Sequence, residues 1–100
     1  MNRRFIVVVE RVPPTKLNAI TEHFEAKGFR FWHWFQPMWL LIAPDDSYTV
    51  LKIREEMRRF MPLRARFIVL HYTGKPVWAA RTDPKAFSWL HKNWNELSEE

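Results

Sequence analysis

Glu10 follows five apolar residues, Phe5-Ile6-Val7-Val8-Val9. A carboxylate at the end of such a run is a candidate ligand for a divalent cation such as magnesium, above all if a two-fold axis brings a second copy beside it. The plainer reading pairs Glu10 with a nearby arginine, because one acid alone makes a poor magnesium site. Asp45 and Asp46 stand where a helix begins and are explained by that first. The four histidines, His23, His33, His71 and His91, are scattered, with no H-E-x-x-H and no His-x-His pair to suggest a metal centre. Gly28 and Gly74 are isolated, so there is no glycine-rich phosphate loop, and Ser47 and Ser88 read as a helix cap and a helix surface rather than as nucleophiles.

The basic residues carry a clearer signal. Lys52, Arg54, Arg58, Arg59, Arg64 and Arg66 fall within fifteen positions, offset by Glu55 and Glu56. Arg54 and Arg58 share one helix flank at i, i+4, and Arg64 and Arg66 share one side of a strand. Such a set can follow a phosphate backbone, which asks for positive charge rather than a fixed motif. The competing reading is a solvated helix of mixed charge. Aromatic residues form the other distinctive group. Phe31, Trp32 and Trp34 can stack bases, as RNA-recognition modules do, but the glycine-containing aromatic signature of those modules is missing from both RARFIVL and MWLLIA. An interface built on Trp32, Trp34, Trp78, Trp89 and Trp94 is the better expectation.

The elements that must position these groups follow from periodicity. The run Phe5 to Val9 predicts a strand buried on both faces, stopped by Pro13 and Pro14. Thr15 is then expected to cap a helix with Leu17, Ile20 and Phe24 inward, and Gly28 to close it. Phe29 to Ala43, FRFWHWFQPMWLLIA, reads as two strands joined by a tight turn at Gln36-Pro37. Pro44 to Ser47 predicts a turn and cap before a helix with Val50, Ile53, Met57 and Phe60 on one stripe. Arg64 to Tyr72 reads as a fourth strand. This β-α-β-β-α-β order predicts an α+β, ferredoxin-like fold: a four-stranded antiparallel sheet with both helices on one face.

Two helices cover one face only, so the aromatic residues of strands two and three need a second cover. The tail offers one. Thr73 to Pro76 predicts a turn, Val77-Trp78-Ala79 a short extra strand, and Asp83-Pro84 the start of an amphipathic helix running to about Leu97, with Phe87, Leu90, Trp94 and Leu97 in line. Ser98 to Glu100 is expected to fray. The expected organisation is one domain over 1–100, with a core at 1–74 and an extension at 75–100 that docks on the sheet or on a partner subunit.

Composition bounds the partners. The 100 residues are 47% hydrophobic, 27% charged and 16% aromatic, with no cysteine, a net charge of +5 and a pI near 10.0. Disulfides and cysteine-held zinc are excluded, and anionic partners are favoured, nucleic acid first. Arg3 and Arg4 precede an apolar run too short for a signal-peptide core or a membrane span. A cytoplasmic protein with no membrane partner is expected.

The segment F-W-H-W-F-Q-P-M-W-L at Phe31 to Leu40 resembles the tryptophan-rich centre of small bacterial SinR-like proteins, relatives of the CRISPR-associated protein two superfamily. The likeness runs on through Ile53 to Arg58, Val69 to Gly74, Trp78 and Lys85 to Leu90. It implies a ferredoxin-like homodimer whose segment after strand four packs against the partner. In the CRISPR-associated relatives an aspartate ending strand one is linked to metal-dependent cleavage of nucleic acid. Glu10 stands at that position here, and Val9 where tyrosine is frequent. The extra methylene of glutamate moves the carboxylate by about an ångström, enough to disturb in-line attack. The leading expectation is therefore a dimeric protein that binds nucleic acid, or serves a nucleic-acid system as an accessory factor, without catalysis and without a cofactor. The alternatives are a protein-interaction module, such as an inhibitor, antitoxin or phage-encoded factor, and a magnesium-dependent nuclease using Glu10.

Overall fold

The computed structural model describes residues 3–74 and 78–94. Its architecture is α+β, a four-stranded antiparallel sheet with three helices, compatible with the ferredoxin-like arrangement. In chain order come β1 (Arg4–Glu10), α1 (Pro14–Ala26), β2 (Arg30–Trp32), β3 (Met38–Ile42), α2 (Val50–Arg58), β4 (Arg66–Tyr72) and α3 (Pro84–Trp89), which continues as a π-helical segment over Leu90–Trp94. The strands lie side by side as β2-β3-β1-β4.

The register sorts the side chains into two faces. Phe5 lies between Leu41 and His71, and Val7 between Trp39 and Val69, on the face that α1 and α2 cover. There Leu17, Ile20 and Phe24 of α1 and Ile53 and Met57 of α2 close a core with Phe5, Val7, Val9, Trp39 and Leu41. Ile6, between Leu40 and Leu70, and Val8, between Met38 and Ile68, point to the other face. On this second face Ala86, Leu90 and Trp94 pack onto Trp32, Leu40 and Ile42. The C-terminal segment thus docks on the sheet of its own chain.

Several expectations need correction. β1 is fully buried on the helix face, but its second face is covered only in part: Arg4 is buried and Ile6 half-buried, whereas Val8 is 36% exposed. α1 begins at Pro14 behind Pro13, so Thr15 lies in its first turn rather than capping it. α2 is capped by Thr49, whose hydroxyl accepts from the Lys52 amide at 3.1 Å, while Ser47 donates to Asp45 in the preceding turn. β2 and β3 are joined by His33 to Pro37 rather than by a two-residue turn, which leaves Trp34 and Phe35 exposed in a loop. β4 begins at Arg66. Arg64 stands before it with a φ of 73°, a left-handed conformation that breaks the strand. Trp78 and Ala79 are not in a strand, and Val77 and Leu97 lie outside the described residues. In the C-terminal helix the buried line is Ala86, Leu90 and Trp94, with Phe87 turned 37% outward. Residues four apart share a helical face, so this line is an i, i+4 stripe that runs from the α-helical turn of Ala86 into the π-helical segment. Gly28 behaves as expected, closing α1 with a φ of +89°.

Candidate interaction surface

The carboxylate of Glu10 accepts two hydrogen bonds from Nη2 of Arg66, at 2.9 and 2.8 Å, and lies 3.4 Å from Nε of Arg11. The pairing follows from register, because Glu10 and Arg66 are opposite each other on β1 and β4. The hydrogen bond from Arg66, ahead of its charge and that of Arg11, holds the Glu10 carboxyl below the ordinary carboxylate range. The arginine, in turn, is held more firmly protonated by Glu10. No group of three or more His, Asp or Glu side chains converges among the described residues in a way that could hold a metal ion.

The histidines go separate ways. His23 meets Glu56 at 2.6 Å, joining α1 to α2 with both side chains largely covered. His33 lies flat on Trp39, with centroids 4.3 Å apart, and its Nδ1 is 2.9 Å from the Met38 carbonyl. His71 stacks on Phe5, and His91 packs against Trp78 and Phe87. Asp45 is engaged by Ser47, whose hydroxyl and amide hydrogen bonds hold its carboxyl below the ordinary value.

The structure divides the basic set. Lys52 sits over the Tyr48 ring at 4.4 Å and donates to Ser47. Arg54 and Arg58 lie on the opposite flank of α2, beside β4, where both contact Glu55. Arg59 and Arg64 are exposed, and Arg66 is engaged by Glu10. The six cations therefore do not form one stripe.

The tryptophans are divided as well. Trp32 is buried and donates from Nε1 to the Ala86 carbonyl at 3.0 Å, while Trp94 is buried against Tyr72. Trp78 and Trp89 are half-buried in the same cluster. Four of the five thus hold the C-terminal segment to its own sheet, and only Trp34 stays outside.

Two features escaped the sequence reading. Arg4 is 4% exposed and sends its guanidinium to the carbonyls of Asn93 and Trp94, each at 3.2 Å, with its charge 5.9 Å from the Trp94 ring centroid. Arg30 assists from β2 by donating to Asn93 Oδ1 at 3.1 Å. The second feature is the outer edge of β4. Among the described residues β4 has β1 on one side and no strand on the other. Ile68 is 53% exposed and Leu70 47%, because the C-terminal segment covers Trp32, Leu40 and Ile42 and, on the other two strands, reaches Arg4, Ile6 and Tyr72 but not the middle of β4. On the helix face, Val50, Leu51, Arg54 and Arg58 of α2 form a groove of about 560 Å³ with Phe67, Ile68 and Val69. The apolar run Phe67 to Leu70 in RFIVLHY signals a strand, but nothing local marks β4 as an edge.

No helix of the described residues is long and apolar enough to cross a membrane. No family model, no curated protein and no solved structure matches the chain.

Proposed function

We propose that this chain is a small interaction module on a ferredoxin-like scaffold, acting by binding rather than by catalysis, with the outer edge of β4 as its working surface. One observation carries the reading: a seven-residue edge strand exposes Ile68 and Leu70 on one face and borders a groove of mixed apolar and arginine lining on the other. An open edge offers a row of backbone donors and acceptors to another strand, and proteins ordinarily blunt such edges with charge, proline or a cover. Here the middle of the strand, from Phe67 to Leu70, is apolar throughout. The second tryptophan-rich face is spent on holding the C-terminal segment, so it competes less well as an interface. Glu10 supports this reading by being tied to Arg66.

A second reading, nucleic-acid binding, is favoured by Arg59 and Arg64, which stand exposed on a chain of net charge +5. The homodimer implied by the SinR-like resemblance would pack the segment after β4 against the partner. Light-scattering mass measured beside a salt titration of labelled single-stranded and duplex oligonucleotides separates the three. The interaction-module reading expects a monomer of the single-chain mass and oligonucleotide binding that is weak and indifferent to Ile68→Lys. Binding that falls steeply with salt and drops on Arg59→Ala or Arg64→Ala supports the nucleic-acid reading. A dimer split by Ile68→Lys supports self-assembly.

A further inference from the structure

Resting on the reading of β4 as the working surface, we infer that its occupant is an extended segment of a partner protein in which acidic residues alternate with apolar ones, added to β4 as a fifth strand. Strand addition supplies affinity through the backbone and specificity through alternate side chains. The two faces of β4 ask for different chemistry. On one, an added strand lies beside Ile68 and Leu70, which are exposed and apolar and call for apolar neighbours. On the other it lies along the groove whose wall carries Arg54 and Arg58.

Charge decides the occupant. Arg54 and Arg58 share a single acid, Glu55, so the groove wall carries excess positive charge. Arg66 at the start of the strand is balanced by Glu10, and Arg64 just before it adds another exposed cation. A second copy of this chain would bring the same excess to the same edge and meet repulsion. An acidic strand meets attraction instead. The spacing agrees. Residues four apart on a helix are about 6 Å apart along its axis, and same-face residues two apart on a strand about 6.6 Å. Two acids at i and i+2 of the added strand therefore have a spacing comparable to that of Arg54 and Arg58.

The test uses three eight-residue synthetic peptides, end-blocked, in which valine alternates with glutamate, glutamine or lysine. Each is titrated into the isotopically labelled protein while backbone amide shifts and affinity are followed. The expected result is that the glutamate peptide moves the amides of Phe67 to Leu70, binding at least about fivefold more tightly than the glutamine peptide, with lysine weakest. That order reverses in the Arg54→Glu/Arg58→Glu variant, whose two exposed positions leave the core untouched. Equal affinity of all three peptides at β4 overturns the acidic partner while leaving β4 as the acceptor. No shift at β4 with any peptide overturns both. A dimer that shields β4 from all three makes a second copy the occupant and overturns the inference.

Discussion

Replacing Arg4 by methionine tests how the C-terminal segment is held. Arg4 lies 4% exposed on β1, and its Nε and Nη2 donate to Trp94 and Asn93 carbonyls at 3.2 Å each. A hydrogen bond from a charged group contributes about 1.5–3 kcal/mol. Methionine keeps much of the apolar stem and removes the cost of burying a guanidinium, which offsets part of the loss. The net expectation is a destabilisation of about 2–3 kcal/mol. For a domain of this size, the melting temperature should fall by roughly 10–20 °C. With a urea slope near 1–1.5 kcal/mol per molar, the midpoint should fall by about 2 M. Arg4→Lys keeps the charge without the planar fork and should recover less than half of the loss. Urea melts followed by tryptophan fluorescence and far-ultraviolet circular dichroism measure both. A midpoint unchanged to within about 0.3 M in Arg4→Met would refute the claim that these two bonds anchor the segment.

Three further outcomes follow from the same geometry. Trp32→Phe keeps the ring in its cluster but removes the 3.0 Å bond to the Ala86 carbonyl, and should cost about 1–2 kcal/mol in a thermal melt. Thr49→Ala removes the cap on α2 and should cost about 1 kcal/mol, whereas Ser47→Ala, outside the helix, should cost less in the same assay. Because the Glu10 carboxyl is depressed by Arg66, its pairing is present above the ordinary carboxylate value of 4.5 and lost only as pH falls through the lower folded value. An NMR titration of Glu10 should show its midpoint rising toward 4.5 in Arg66→Ala; an unmoved midpoint contradicts the pairing.

Much of the fold is legible in local pattern. Leu17, Ile20 and Phe24 at helical spacing, Ile53 and Met57 on α2, the unbroken run in β1 and the prolines at its end fix element types and order, because burial must follow the period of each element. The need for a second cover could be counted in advance, since two helices shield one face, and Ala86, Leu90 and Trp94 provide it. Boundaries fared less well. Pro13, Thr49 and Arg64 each displace an expected end by a residue or more, because caps and left-handed turns depend on backbone geometry that several neighbouring residues can satisfy. The candidate site was legible only in pieces. Arg54, Arg58, Glu10 and Arg66 could be picked out by type, but their partners could not.

The sequence by itself determined the two periodicities, the absence of cysteine chemistry, the basic charge and the surplus of aromatic residues seeking cover. Only the tertiary structure decided that Arg4, first residue of an apolar strand, is buried against a helix end ninety residues away, that Glu10 faces Arg66 across a ladder, and that β4 lies at the margin of the sheet. The physical reason is shared by all three. Periodicity reports which way a side chain points relative to its own element, whereas burial, pairing and edge position depend on what another segment places opposite it, and strand order is set by long-range packing that leaves no local mark.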